Sequence, residues 1–358
     1  MTVRLLRRRW LILREGDRRR WGGDLRRHYL FDALAERTHG RVVEDRRPVD
    51  FVPILRELVP RRWQVWRRPP LVATTEILTD NQLAPIVRLG VPAVVDIHDD
   101  TLLQNDALGI ATSAEDAAAI RAKDALNRAG FRWLVAPSKP FAALAGLDPD
   151  RTIVAPNGTD SAAVRPGSWP EQPAVAFVAG AAPRRGIEEL VEATRIARKT
   201  APDLRLDLVL AATGEHSQAY LERLGASLEG DDWITIGPSP YPELGARLSR
   251  ASVLAIPTPA HPYWDSVAPV KLFDYFAAGR PVMTTPRIET ARVVREAGAG
   301  AVSTDDTPEA MAEALIDLLA SPEDARRRGA NARAAAERDF DWRVIGRRLA
   351  DEILARIS

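Results

Sequence analysis

The 358-residue chain contains no cysteine, which excludes disulfides and metal sites built on thiolates. Its five histidines are scattered, without the ligand spacing a zinc site needs, so no metal is expected. No segment approaches the roughly 20 consecutive apolar residues of a membrane span. The apolar run Trp10–Leu13 near the N-terminus is too short for a signal-peptide core. The expectation is a cytoplasmic protein, free in solution or peripheral at the inner face of the membrane. The glycines nowhere spell the G-x-G-x-x-G dinucleotide fingerprint. No solenoid-length repeat is present either.

What is present is an ordinary globular balance, with 46% hydrophobic and 28% charged residues, on a chain long enough for two domains. The net charge of +1 hides an asymmetry: residues 1–70 hold 19 arginines against nine acids. Clusters stand at Arg7-Arg8-Arg9, Arg18-Arg19-Arg20, Arg46-Arg47, Arg61-Arg62 and Arg67-Arg68. Such a field favours an anionic acceptor, an anionic membrane or a nucleic acid, although solvated helix faces would explain it equally. In Arg61–Pro70 tryptophan alternates with arginine, as at a lipid interface or a stacking platform.

Short β-branched runs alternate with longer amphipathic ones, the pattern of βαβ units and parallel sheets. Strands are expected at Trp10–Leu13, Arg41–Val43, Leu71–Thr74, Ala93–Ile97, Trp133–Ala136 and Ile153–Ala155. A second series follows at Val175–Val178, Arg205–Leu210, Trp233–Ile236, Val253–Ile256, Val282–Thr285 and Ala301–Ser303. A helix from Asp24 to about Arg37 aligns Leu30, Phe31, Leu34 and Ala35 on one face. Turn formers crowd the segment from Asn157 to Pro173, which places a domain boundary there. The expected organisation is α/β, with an acceptor-binding domain at 1–157 and a donor-binding domain at 158–340. A last helix, 341–358, would pack back on the first domain. Ligands of such folds bind outside the carboxyl ends of the strands, so the loops after strands are the informative ones.

The richest of these loops runs Ser266-Val267-Ala268-Pro269-Val270-Lys271-Leu272-Phe273-Asp274. A helix starting near Pro269 and closing at Gly279 offers a phosphate its free N–H groups and positive dipole end. Lys271 in its first turn opposes the dipole and asks for an anion as the reason. Asp274, one turn on, would suit the two hydroxyls of a ribose. A solvated Lys–Asp pair would give the same spacing. In the first half, Gly22-Gly23 lies between strand and helix, where backbone can approach a ligand closely. Asp96-Ile97-His98-Asp99 follows a buried strand, a place for a cleft histidine or for a locally capped turn.

The stretch from Pro269 through Asp274 and Gly279 to Val282 resembles the donor-site helix of GT-B glycosyltransferases of family 4. Val154 to Asp160, Phe177 to Gly186, Ala251 to Pro257 and Asp339 to Trp342 resemble other family segments, in the family's order. The resemblance is good over roughly residues 150–345. It implies two Rossmann-like domains facing a cleft, and transfer of a sugar from a nucleoside-diphosphate donor (UDP- or GDP-sugar) to a small-molecule, lipid-linked or saccharide acceptor. The donor is a substrate; no cofactor is implied, and retention at the anomeric carbon is the family's habit. By the same resemblance Asp274 binds the ribose, and Arg184, Arg185, Gly186 and Lys271 hold the diphosphate. Ser266, Val267 and Ala268 border the sugar, and His98 approaches it. Gly22, Gly23 and Asp99 fall on the acceptor side. Two departures stand out: Asp274 replaces the commoner Glu, and Ser266 occupies the place of a usual acid. The second keeps open a non-catalytic paralogue that binds a nucleotide or a protein. A nucleic-acid-binding protein is the remaining alternative, opposed by the dispersal of the arginines through α/β units; nucleic acid is not the expected partner.

Overall fold

The computed structural model describes residues 10–15, 22–38, 41–45, 71–75, 93–212 and 214–357. All five arginine clusters before residue 70, and the whole Arg61–Pro70 stretch, lie outside these residues. The chain divides into two units, Met1–Leu102 with Thr112–Pro156 and Trp342–Ser358, and Leu103–Ala111 with Asn157–Asp341.

Every strand expected from the pattern is present, with ends moved by at most two residues. In the first unit these are β1 (Trp10–Glu15), β2 (Arg41–Asp45), β3 (Leu71–Thr75), β4 (Ala93–Asp96), β5 (Trp133–Ala136) and β6 (Thr152–Val154). They form one parallel sheet in the order β2-β1-β3-β4-β5-β6. Its helices are α1 (Gly22–Thr38), the start of α2 (Thr101–Leu108), α3 (Ala114–Gly130), α4 (Lys139–Leu144) and α13 (Trp342–Ile357). Ser113 and Ser138 cap α3 and α4, accepting from Asp116 N–H and Phe141 N–H at 3.0 and 2.9 Å. α1 buries Leu30, Phe31 and Leu34 and packs against α13. The two helices meet so closely at Ala33 and Gly346 that a Cβ on Gly346 would collide with Ala33.

The second unit holds β7 (Ala174–Gly180), β8 (Arg205–Ala211), β9 (Ile234–Gly237), β10 (Val253–Ile256), β11 (Val282–Thr284) and β12 (Gly300–Val302). All pair in parallel, in the order β12-β11-β10-β7-β8-β9. Val175 and Phe177 of β7, Leu206 and Leu208 of β8 and Val253 of β10 enter one core cluster. Their neighbours Ala176, Val209 and Leu254 enter another. Both faces of the sheet are therefore covered, which explains why these strands read as continuous apolar runs and not as alternating ones. The covering helices are α5 (Ile187–Ala197), α6 (Glu215–Ser227), α7 (Tyr241–Leu248), α9 (Val270–Ala277), α10 (Ile288–Ala297), α11 (Pro308–Ala320) and α12 (Pro322–Ala335), with a five-residue α8 at Pro262–Ser266.

Two expectations are corrected. Gly22 and Gly23 do not form a turn; they are the first residues of α1, where four N–H groups have no intrahelical partner in any case and glycine is well tolerated. Leu103–Ala111 groups with the second unit although it lies deep in the first half of the sequence. Its side chains explain this: Gln104 donates to the Tyr263 hydroxyl at 2.9 Å, and Asp106 lies 3.1 Å from His261 Nε2.

Candidate functional site

In the second sheet the strand order turns between β7 and β10, which are adjacent in space but have two strands between them in the chain. The connections leaving such a pair diverge to opposite faces and open a crevice at the carboxyl ends. A pocket of about 400 Å³, open mouth included, lies there, lined by Phe177, Arg185, Thr258, Trp264, Val267, Pro269, Lys271 and Thr290.

The loop after β7 reaches this pocket by a strained route. Arg184 has φ +57° and Gly186 φ +75°, the left-handed region that costs most side chains energy. Gly186 is also pressed against the next loop, so a Cβ on it would collide with the carbonyl oxygen of Pro257. Gly186→Ala is expected to lower unfolding free energy by about 3 kcal/mol, read from denaturant melts. An unchanged midpoint would mean that the two loops do not touch. Because Gly186 caps α5 without a side chain, the first-turn N–H groups of α5 stay available to an anion. At α9, whose cap is Pro269, the Leu272 N–H bonds back to the Pro269 carbonyl at 3.0 Å, which leaves the N–H groups of Val270 and Lys271 for such a ligand.

Two cations meet in the pocket. The Lys271 ammonium lies 4.4 Å from the centre of the Phe177 ring, and the Arg185 guanidinium lies 5.8 Å from that of Trp264. Burial pulls the Lys271 pKa well below its usual value, and the charge of Arg185 pulls it further. Among the described residues no carboxylate lines the pocket. Arg184 is exposed.

Asp274 points elsewhere than Lys271, and the solvated pair that the spacing allowed is not formed. The Asp274 side chain is buried. Its Oδ1 accepts from the Thr159 hydroxyl at 2.8 Å and, at 3.5 Å, from that of Tyr241. Burial pushes its pKa up to about 7, against the lowering effect of these two hydroxyls. Asn157 of the same turn as Thr159 donates to the Ala268 carbonyl at 2.9 Å. The Asn157–Thr159 turn is thus bonded to both sides of the α9 N-terminus. Ser266 is buried and donates to the Tyr263 carbonyl at 2.7 Å. Asp265, its neighbour, is engaged by Arg287 at 3.5 Å and by the Ile288 N–H at 3.4 Å. Val267 lines the pocket beside Thr290.

In the first unit, His98 follows β4 and is buried. Its Nδ1 lies 3.4 Å from Asp96 Oδ2. Arg26 of α1 is the larger partner of Asp96, with Nη2 2.7 Å from Oδ1 and Nε 3.0 Å from Oδ2. Its Nη1 donates to the carbonyls of Ala155 and Pro156, at 2.9 and 3.0 Å. Burial alone would raise the Asp96 pKa, but Arg26, aided by His98, holds it well below the carboxylate range. Asp99 is half-buried and accepts from the Asp100 N–H at 2.9 Å.

Of the residues singled out in the sequence, Arg185, Val267 and Lys271 line this pocket and Asp274 does not; Phe177 and Thr290 join the lining, and Thr159 and Tyr241 reach the Asp274 carboxylate. Phe177 reads as core in any strand pattern, and the bond from Thr159 to Asp274 spans 115 positions. Among the described residues no group of three or more potential metal ligands gathers, and no helix is long and apolar enough to cross a membrane.

Residues 172–321 match the family model described as Glycosyl transferases group 1. Curated relatives include the D-inositol 3-phosphate glycosyltransferase of Segniliparus rotundus, 28% identical over 286 residues, covering 75% of this chain and 61% of the relative. Another is the GDP-mannose-dependent alpha-(1-6)-phosphatidylinositol monomannoside mannosyltransferase of Mycolicibacterium smegmatis, 27% identical over 214 residues, 59% of this chain and 55% of the relative. The chain spans about three-fifths of the length of these relatives. Among solved structures, sucrose-phosphate synthase of Thermosynechococcus elongatus superposes with a TM-score of 0.69 at 17% identity, over 98% of this chain and all of the other. HepE of Anabaena, solved with UDP and glucose, superposes with a TM-score of 0.66 at 18% identity, over 97% of this chain and all of the other. The fold is GT-B, with α/β units built on parallel sheets.

Proposed function

We propose that this chain, whose residues 172–321 match the group 1 glycosyl transferase model, transfers a sugar from a nucleoside-diphosphate donor bound in the β7/β10 pocket. One observation carries the reading: Arg185 and Lys271 share a pocket at the strand-order switch, with no carboxylate on its wall among the described residues. Two like charges brought together that way repel, and an anion between them relieves the repulsion. A diphosphate supplies two to three negative charges, and the uncapped first turns of α5 and α9 offer it backbone donors. Asp274, at the other side of α9, is the proposed acceptor of the ribose hydroxyls.

As the sugar leaves, negative charge grows on the diphosphate. Fixed cations and N–H groups stabilise that charge without having to reorganise. In this proposal Arg185 and Lys271 do this work, Arg184 adds charge at the rim, and no metal is needed. Retention of the anomeric configuration and the part given to His98, close to the transferred sugar, rest on the family resemblance.

The test is calorimetric titration with UDP, GDP and dTDP, with a chelator present. Binding of one of them, abolished or weakened by Asp274→Ala, is the expected result. Absence of binding to all three would remove the donor-site reading. A second reading is favoured by Ser266, which stands where an acid is usual and gives its hydroxyl to Tyr263: a protein that binds nucleotide without transferring sugar. Nucleotide binding with no release of UDP from UDP-glucose or of GDP from GDP-mannose, with or without candidate acceptors, would select it.

A further inference from the structure

Trp264 sits on α8, in the wall of the pocket that also holds Arg185 and Lys271. Its ring is set edge-on to Tyr263, 4.6 Å between centroids at 67°. Tyr263 is buried and receives the Gln104 hydrogen bond, so the aromatic pair has a fixed base. The Arg185 guanidinium lies over the Trp264 ring. The indole Nε1 is buried and donates to no protein atom among the described residues. Buried indole N–H groups nearly always have a partner, and one left alone is costly. The ring is thus held in place by its neighbours while its polar atom is unsatisfied beside two cations.

We propose that Trp264 is a donor-binding residue: its Nε1–H donates to an oxygen of the nucleotide-sugar's diphosphate–sugar portion, and its ring aligns Arg185 on the diphosphate. This rests on the donor-site reading above and adds to it a residue of a kind that cations alone do not provide. An indole N–H is a donor only, so the group it meets must be an acceptor, a phosphoryl oxygen or an oxygen of the transferred sugar. The wall contributes only donors and hydroxyls at this point: Trp264, Arg185, Lys271, Thr258 and Thr290. With Ser266 and Asp265 both engaged within the protein, the hydrogen bond at this point runs from protein to ligand.

Trp264→Phe keeps a ring under Arg185 and removes the N–H; Trp264→Leu removes both. Affinities for UDP, GDP, UDP-glucose and GDP-mannose are measured by calorimetry on the full chain, with the melting temperature of each ligand-free variant. The expected result is about tenfold weaker binding for Trp264→Phe, a larger loss for Trp264→Leu, and a ligand-free Trp264→Phe that melts with the wild type. That last point separates a ligand contact from a packing role. Equal losses for the diphosphate and its sugar conjugate identify a phosphoryl oxygen as the acceptor. A loss confined to the sugar conjugate identifies a sugar oxygen. Trp264→Phe binding every probe as the wild type does would overturn the assignment, as would weakening that only follows a lowered melting temperature. A wild type that binds no probe overturns the donor-site reading and this inference together, whereas binding by the wild type and by Trp264→Phe alike removes only Trp264.

Discussion

Replacing Lys271 by methionine is expected to reduce release of nucleoside diphosphate from the preferred sugar nucleotide by about 10²- to 10³-fold in kcat, the usual effect of removing one preorganised group aimed at developing charge. The same variant should be more stable than the wild type when empty. The ammonium is packed beneath Phe177 and next to Arg185, and its lowered pKa means that the fold resists its charge. For a lysine shifted down, that penalty is full below the folded-state pKa and disappears only as pH rises towards the ordinary value of about 10.4. At pH 7 methionine removes it while keeping most of the side-chain volume. A higher melting temperature combined with the loss of turnover is the signature of a site that stores unfavourable electrostatics for its ligand. Unchanged turnover and affinity would show that the diphosphate binds elsewhere.

The second large effect belongs to Asp274. With its pKa raised from 3.8 to about 7, the carboxyl is neutral in both folded and unfolded chains below about pH 4. As pH rises from there to about 7 the unfolded chain ionises first, and stability falls; above about 7 the deficit is constant. Three pKa units at 1.36 kcal/mol each set its upper bound at about 4 kcal/mol. Asp274→Asn is therefore expected to unfold at higher denaturant than the wild type at pH 8 and at nearly the same denaturant at pH 4. Its nucleotide affinity should be lower at pH 8 and independent of pH between 6 and 8, where wild-type affinity climbs as the carboxylate forms to accept two ribose hydroxyls. An Asn variant less stable than wild type at pH 8 would mean that the carboxylate is stabilised in the fold, contrary to its burial among Thr159 and Tyr241.

These two residues were also the most legible in the sequence. Lys271 opposes a helix dipole and Asp274 sits one turn away, between a proline at the helix start and a glycine at its end, so local chemistry singled them out while the resemblance supplied their roles. The strands were legible for a related reason. A parallel strand covered on both faces is a short, unbroken apolar run, and Val253–Ile256 is recognised without knowledge of its neighbours. What could not be read was which distant residues complete the site. Nothing about Thr159 in isolation tells that it will bond a carboxylate on another helix, and Tyr241 begins α7 in a segment that reads only as a helix start. Phe177 was hidden by its own hydrophobicity, since a residue that is both core and ligand wall has the pattern of core. Leu103–Ala111 was misassigned because sequence position suggested the first unit, whereas Gln104 and Asp106 bond residues more than 150 positions away.

The packing of α13 on α1 has a consequence for biosynthesis. The first unit begins near the start of the chain, yet its α1 packs, closely at Ala33, against a helix whose residues follow the entire second unit. On the ribosome the second unit can close as soon as its own residues have emerged, since its sheet and helices need nothing later than Asp341. The first unit must wait, with one apolar helix face uncovered, for Trp342–Ile357 to arrive. The unit begun first is thus the last to be finished, and chains interrupted before α13 would carry a complete second unit beside an N-terminal unit that offers α1 to chaperones and proteases.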